Sequence, residues 1–244
     1  MPKHLLKKSK SKNQYSDQSA QPIKPAILFD LDGTLLDSAY EHVMAWQEAL
    51  EEENIHVPNA RIHRCVGMSG KLMLRTIFKE LGRATSGRQI ERLEELHKNR
   101  FSKKLASIRV LPGARELLKH LTALTIEWAI ATSGDKKTVD KMIKPLRIPP
   151  ATPVITGDDV ERAKPNPDVF LMAATRLGVA PGDCVVVGDS IWDLMAARRA
   201  KALGVGLLCG GYGEAELFQA GAYRVYAHPA DLLERLSEIG IESD

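Results

Sequence analysis

Ala26-Ile27-Leu28-Phe29-Asp30-Leu31-Asp32-Gly33-Thr34-Leu35 is the stretch from which the rest of the chain can be read. Four unbroken apolar residues followed by an acid read as a short buried strand that ends at Asp30. A second acid comes two residues later, and Gly33 then interrupts the pattern. In extended backbone, residues i and i+2 point to the same side, so Asp30 and Asp32 can face one crevice. Crevices beyond the carboxyl ends of strands are where open α/β sheets bind ligands. Taken alone, Asp-Gly is also an ordinary turn, and an acid at a strand end can simply be solvated.

Working outward, short apolar runs recur at 126–131, 154–155, 184–187, 205–208 and 224–226. Between them the apolar spacing is helical: Leu117, Leu118 and Leu121 share a face, as do Val169, Met172, Ala173 and Leu177, and again Ile191, Leu194 and Met195. Strand alternating with helix predicts an α/β fold with a parallel sheet covered on both faces. Residues 39–107 break the alternation. Val43, Trp46 and Leu50 mark one helix, Leu72, Leu74, Ile77, Phe78 and Leu81 a second, and Ile90, Leu93, Phe101 and Leu105 a third. The expected organisation is therefore a core over 25–38 and 108–244, with a small all-helical domain inserted over 39–107. Pro112 suits the start of the helix that resumes the core.

Residues 1–24 hold six lysines and one acid, Asp17, with almost no apolar periodicity, and read as a disordered basic tail. The tail accounts for more than the whole net charge of +3, leaving −2 for residues 25–244. The folded part thus has no general basic character, and no nucleic-acid partner is expected for it. No apolar run approaches the roughly 20 residues of a membrane span. Cys65, Cys184 and Cys209 are odd in number and lack C-x-x-C spacing, which points to a reducing, cytoplasmic setting without disulfides.

Three further segments turn the two acids into a candidate site. Thr132-Ser133-Gly134 follows the run at 126–131, where a hydroxyl and backbone amides can donate to a phosphoryl oxygen. By itself, Ser133 could equally cap the next helix. Ala163-Lys164-Pro165-Asn166-Pro167-Asp168 is stiffened by two prolines and fixes an ammonium that can neutralise a phosphate or a carboxylate. Val187-Gly188-Asp189-Ser190-Ile191-Trp192-Asp193 again ends an apolar run in an acid, with Asp193 four residues on at a helix start. Oxygen-only acids suit magnesium, which takes few protein carboxylates and keeps several waters. Against this stands a plain helix cap at Asp189 or Ser190.

Acid pair, hydroxyl, lysine and acid, in that order, resemble the four motifs of the haloacid dehalogenase superfamily in its phosphatase branch, over about residues 25–240. The first motif, D-x-D-G-T/V, is matched by Asp30 to Thr34, the second by Ser133, the third by Lys164-Pro165, and the fourth, G-D-S-x-x-D, by Gly188 to Asp193. The resemblance implies a Rossmann-like parallel sheet core with the helical insertion as a small cap. It implies a magnesium-dependent phosphatase acting on a small-molecule phosphate monoester. In that reading Asp30 is the nucleophile and forms an aspartyl-phosphate, while Asp32 protonates the leaving oxygen and then activates water. Magnesium would be held by Asp30, the backbone carbonyl of Asp32 and Asp189, with Asp193 in support. The presence of Asp32 argues against dehalogenation, because dehalogenases of the superfamily lack the second aspartate. Lys164 and Ser133 complete the catalytic set, and Thr132 and Gly134 lie beside it.

Within the insertion, Arg64-Cys65-Val66-Gly67-Met68-Ser69-Gly70-Lys71 forms a glycine-rich turn whose Arg64 and Lys71 could reach a substrate, and His42 could face the site from the first helix. The alternative for this turn is a helix connector with solvated charges. Two rival functions stand beside the phosphatase: a phosphomutase of the β-phosphoglucomutase kind, with the same four motifs, and a non-enzymatic phospho-acceptor like a receiver domain. Receivers are about half this length and do not need Asp32. A monomer or weak homodimer is expected.

Overall fold

The structure, a computed structural model, describes residues 25–242; the basic tail expected over 1–24 lies outside the described residues. Six parallel strands form the main sheet: β1 (Ala26–Phe29), β4 (Trp128–Ala131), β5 (Val154–Ile155), β6 (Cys184–Gly188), β7 (Leu203–Leu207) and β8 (Ala222–Tyr226). Their spatial order is β5-β4-β1-β6-β7-β8. Ile27 pairs with Trp128 on one side and Val185 on the other, so the strand that leads to Asp30 lies mid-sheet. The chain runs from β1 to β4 and β5 on one side and returns to β6 on the other. This reversal opens a crevice at the carboxyl end of β1, where α/β sheets bind ligands.

The continuous apolar character of the strands follows from burial on both faces. Ile27 and Phe29 pack with Leu117, Leu118 and Leu121 of α5 (Ala114–Ala123), Val139 of α6 (Lys136–Met142) and Leu232 of α10 (Pro229–Glu234). Ala26 and Leu28 face the other way, onto Val169, Phe170 and Ala173 of α7 (Asp168–Leu177) and Ala196 and Ala197 of α8 (Ile191–Ala200). Fully burying a side chain such as Phe170 contributes about 1.5–3 kcal/mol. The small residues on α8 let it sit close to the sheet, and α9 (Glu214–Ala220) covers the β7–β8 edge through Leu217.

Residues 39–107 hold no strand. They form α1 (Ala39–Glu52), α2 (Asn59–His63), α3 (Gly70–Glu80) and α4 (Gly87–Lys104). Val43, Trp46, Leu50, Leu74, Phe78 and Leu93 close a hydrophobic cluster of their own. The five-residue α2 is too short to leave a periodic signal, and Leu81, expected on the apolar face of α3, is exposed. One element has no counterpart in the sequence reading. Leu36–Asp37 (β2) and Arg109–Val110 (β3) pair antiparallel where the chain enters and leaves the insert. Two residues per strand carry no alternation to detect. Cys65, Cys184 and Cys209 are all free thiols. Among the described residues no helix is long and apolar enough to cross a membrane.

Candidate active site

Because β1 lies between β4 and β6, three strand ends converge. Asp30 follows β1, Thr132 follows β4, and Asp189 follows β6. Gly33, at φ +82°, turns the chain back after β1 and packs on Asp189, whose Oδ2 would lie 2.5 Å from a Cβ at that position. Thr34, brought round by the same turn, donates from Oγ1 to Asp189 Oδ1 at 2.8 Å. Lys164 enters from the loop before α7 across a cis Lys164-Pro165 bond. Only 1% exposed, it donates to Asp30 Oδ1 and to the Ala131 carbonyl at 3.0 Å, and its Nζ lies 2.8 Å from Asp193 Oδ1. Asp193 is held from behind: Ser190 N–H and Oγ donate to its Oδ2 at 3.1 and 2.6 Å, closing a capping box at the start of α8.

The charges do not balance. Asp30, Asp189 and Asp193 are buried and offer carboxylate oxygens within 4.8 Å of one another, against the single ammonium of Lys164. Burial, with Asp193 and Asp32 adding to it and Lys164 opposing, pushes Asp30 up to about 7. Burial and the repulsion of Asp193 and Asp30 hold Asp189 well above the usual carboxylate range. A divalent cation would relieve both. An all-oxygen donor set in a glycine-walled cradle suits magnesium and offers nothing a softer metal prefers. Gly33 and Gly210 form that cradle, since a Cβ on either would run into the Asp189 carboxylate.

Asp32 occupies a different environment. Ser38 Oγ donates to its Oδ1 at 2.6 Å, His42 Nε2 lies 3.2 Å from the same oxygen, and Thr132 Oγ1 donates to Oδ2 at 3.4 Å. Burial works to raise its pKa, but His42 and Ser38 together outweigh burial and hold the carboxyl below its ordinary value. His42 Nδ1 in turn lies 3.1 Å from His97 Nε2. His42 thus bridges Asp32 and His97 through its two ring nitrogens. The rings are fixed by stacking, His42 on Phe101 at 3.8 Å and His97 on Trp46 at 4.0 Å between centroids. Asp32, His42, His97 and Thr132 border one cavity of about 490 Å³ between the sheet's carboxyl edge and the insert.

Residues 27–206 match the haloacid dehalogenase-like hydrolase family. The chain belongs to that family. Within the haloacid dehalogenase-like hydrolases it falls in the phosphatase branch, and it is an enzyme. The crystal structure of a hydrolase from Pseudomonas syringae is 48% identical, superposes with a TM-score of 0.87, and is covered in full by 89% of this chain. Hexitol phosphatase A of Escherichia coli is 34% identical over 174 residues, 71% of this chain and 78% of that protein. Beta-phosphoglucomutase of Bacillus subtilis is 32% identical over 220 residues, 87% of this chain and 94% of that protein.

Asp30, Asp32, Thr132, Ser133, Asp189 and Asp193 thus lie on the wall of one cavity, with Lys164 buried against Asp30 and Asp193. His42 faces the site as expected, and Lys71 lines the cavity from the insert. Arg64 does not. Its guanidinium pairs with Glu216 at 2.9 Å and lies over the Tyr212 ring, on the seam between insert and core. A glycine-rich turn gives no periodicity from which its facing could be read. Gly134 lies on the cavity wall, its amide donating to Thr132 Oγ1 at 3.1 Å. Ser133 Oγ donates to the Gly67 carbonyl of the insert at 3.1 Å. The Asp32 side chain stands apart from the three clustered carboxylates. Thr34 was read only as part of the first motif, and two contributors, Ser38 and His97, went unread; Ser38 acts on Asp32 and His97 on His42, 55 residues away.

Proposed function

We propose that the chain hydrolyses a small-molecule phosphate monoester in two steps through an aspartyl-phosphate on Asp30, with magnesium. The observation that carries this is the separation of the two acids. Asp30 lies among Lys164, Asp189 and Asp193, where a phosphoryl group and a cation would meet, whereas Asp32 is turned to Ser38, His42 and Thr132. Pairs of carboxyls with divergent environments are how one site supplies both a nucleophile and a proton carrier.

Asp30 attacks phosphorus, the bond from phosphorus to the ester oxygen breaks, and the alcohol leaves with a proton. Asp32 is held ionised in the resting site, so that proton arrives with the monoanionic ester and Asp32 passes it to the leaving oxygen. Asp32 is then ionised again and takes a proton from the water that attacks the phosphoenzyme, releasing phosphate and free Asp30. Lys164 holds the Asp30 carboxylate in place and neutralises part of the charge that builds up. A bound magnesium ion would supply charge neutralisation at Asp30 and at the phosphoryl oxygens. Splitting one displacement into two is the gain from the covalent step. The insert serves as a cap that excludes bulk water while the phosphoenzyme forms.

The similarity to beta-phosphoglucomutase supports a second reading, in which Asp32 takes the proton of another hydroxyl and that oxygen accepts the phosphoryl group from Asp30. The two are separated by incubating the chain with a panel of sugar and polyol phosphates, with magnesium and with a chelator. Release of inorganic phosphate that disappears with the chelator supports the hydrolase, and an isomeric sugar phosphate without phosphate release supports the mutase.

A further inference from the structure

The phosphoryl-handling groups occupy one end of the cavity. The other end lies on the seam between the insert and the core, and its charged lining residues are Lys71, Glu94 and Lys98 from the insert and Asp135, Asp158 and Glu161 from the core. Four carboxylates face two ammonium groups there, a local charge of −2 where the organic part of a substrate has to lie.

One of the two lysines is already engaged. Lys98 Nζ lies 3.1 Å from Asp135 Oδ1. Glu94 lies over the first turn of α3, its Oε1 2.9 Å from where a Cβ on Gly70 would be. Burial raises its pKa, and the Lys71 ammonium and backbone amide both counter the rise. Helix N-termini are the usual anion sites of such cavities. Both helices that begin here carry a protein carboxylate on their first turn, Glu94 on α3 and Asp135 on α6, where Asp135 accepts from Thr138 N–H at 3.2 Å. Asp158 likewise accepts the Lys136 N–H at 2.9 Å. Arg64, the arginine of the insert turn, is turned out to Glu216. With Lys98 paired to Asp135, the lining leaves Lys71 alone against Glu94, Asp158 and Glu161, and an under-compensated anion beside carboxylates in a half-enclosed cavity is disfavoured. Carboxylate acceptors interleaved with ammonium donors do suit hydroxyl groups, which both give and take hydrogen bonds.

We propose that this end of the cavity selects phosphate monoesters whose organic part is uncharged and hydroxyl-bearing, and rejects those with a second phosphate or a carboxylate. The proposal rests on the phosphatase reading and adds the substrate class to it. It also bears on the mutase, since a phosphoryl group returned to a second hydroxyl passes through a bisphosphate whose other phosphate would have to occupy this acidic end.

The test compares kcat/KM of the full chain with magnesium on sorbitol 6-phosphate, on 6-phosphogluconate, which carries a carboxylate on a similar chain, and on glucose 1,6-bisphosphate. A preference of at least about tenfold for the uncharged ester is expected. Glu161→Lys and, separately, Glu94→Gln shift the ratio toward the anionic esters by about fivefold or more. Glu161 is exposed, so its replacement does not threaten the fold. Equal or better turnover of either anionic ester by the unaltered chain, or ratios that neither variant moves, overturn the proposal and leave the phosphatase reading intact. Failure to release phosphate from any ester, p-nitrophenyl phosphate included, overturns both.

Discussion

The Ser133 hydroxyl donates to the Gly67 carbonyl at 3.1 Å, so the residue expected to hold a phosphoryl oxygen also ties the sheet core to the insert. The two partners compete for one proton. When a phosphoryl group takes it, the insert loses a tie, and when the group leaves, the tie re-forms. Ser133→Ala is expected to lower kcat/KM by about tenfold or more through loss of the phosphoryl contact. It costs no more than about 1 kcal/mol of stability, because a single net hydrogen bond is worth little. Steady-state kinetics beside thermal melts measure both.

Gly210 touches Asp189 so closely that a Cβ would overlap the carboxylate. Its carbonyl is also 2.7 Å from His63 Nε2, which fixes the loop against the insert. Gly210→Ala is therefore expected to displace Asp189 and raise the magnesium concentration needed for half-maximal activity by about tenfold, on the scale seen when groups that position metal ligands are disturbed. Titrating activity against magnesium checks this, and saturating metal recovers part of the lost rate.

Lys164 is a buried cation between Asp30 and Asp193. Lys164→Met leaves both acids without their partner and is expected to abolish turnover and to cost about 3–5 kcal/mol of stability. Lys164→Arg does not restore activity, because a planar fork cannot reach Asp30, Asp193 and the Ala131 carbonyl as one ammonium does. Denaturant unfolding of both variants, alongside phosphate release, is the measurement.

His97 is held neutral: burial lowers its pKa well below the ordinary 6.5, and His42 adds to the effect. The unfolded chain therefore binds this proton at a higher pH than the folded chain does. Stability then falls as pH drops below about 6.5 and is insensitive to this group above it. Melting temperatures between pH 7.5 and 5 are expected to decline, and His97→Gln, which can still hydrogen-bond to His42, flattens part of that decline.

The strands of the main sheet, Asp30 and Asp189 were legible from a local pattern, an apolar run and then an acid where the run stops, Asp32 from its spacing to Asp30, and Lys164 from the prolines that follow it. Thr34 and Ser38 act on partners fixed only when the turn at Gly33 closes, so their spacing alone gave them no role. The His42–His97 contact joins α1 to α4 across the insert, a pairing that no local pattern encodes. Arg64 was misplaced for a related reason, since the partner that draws it away, Glu216, lies 152 residues further along the chain. Local periodicity locates strand ends. It does not say which of two nearby surfaces a long charged side chain will choose.

The covalent role of Asp30 is tested most directly by trapping the phosphoenzyme. Asp32→Asn keeps the nucleophile but cannot activate water, and p-nitrophenyl phosphate needs no proton for its leaving group. Incubated together with magnesium and analysed by intact-mass and peptide mass spectrometry, the variant is expected to gain one phosphoryl group on the peptide that contains Asp30, and Asp30→Asn none. Phosphate on another residue, or sustained turnover by Asp30→Asn, would contradict the account.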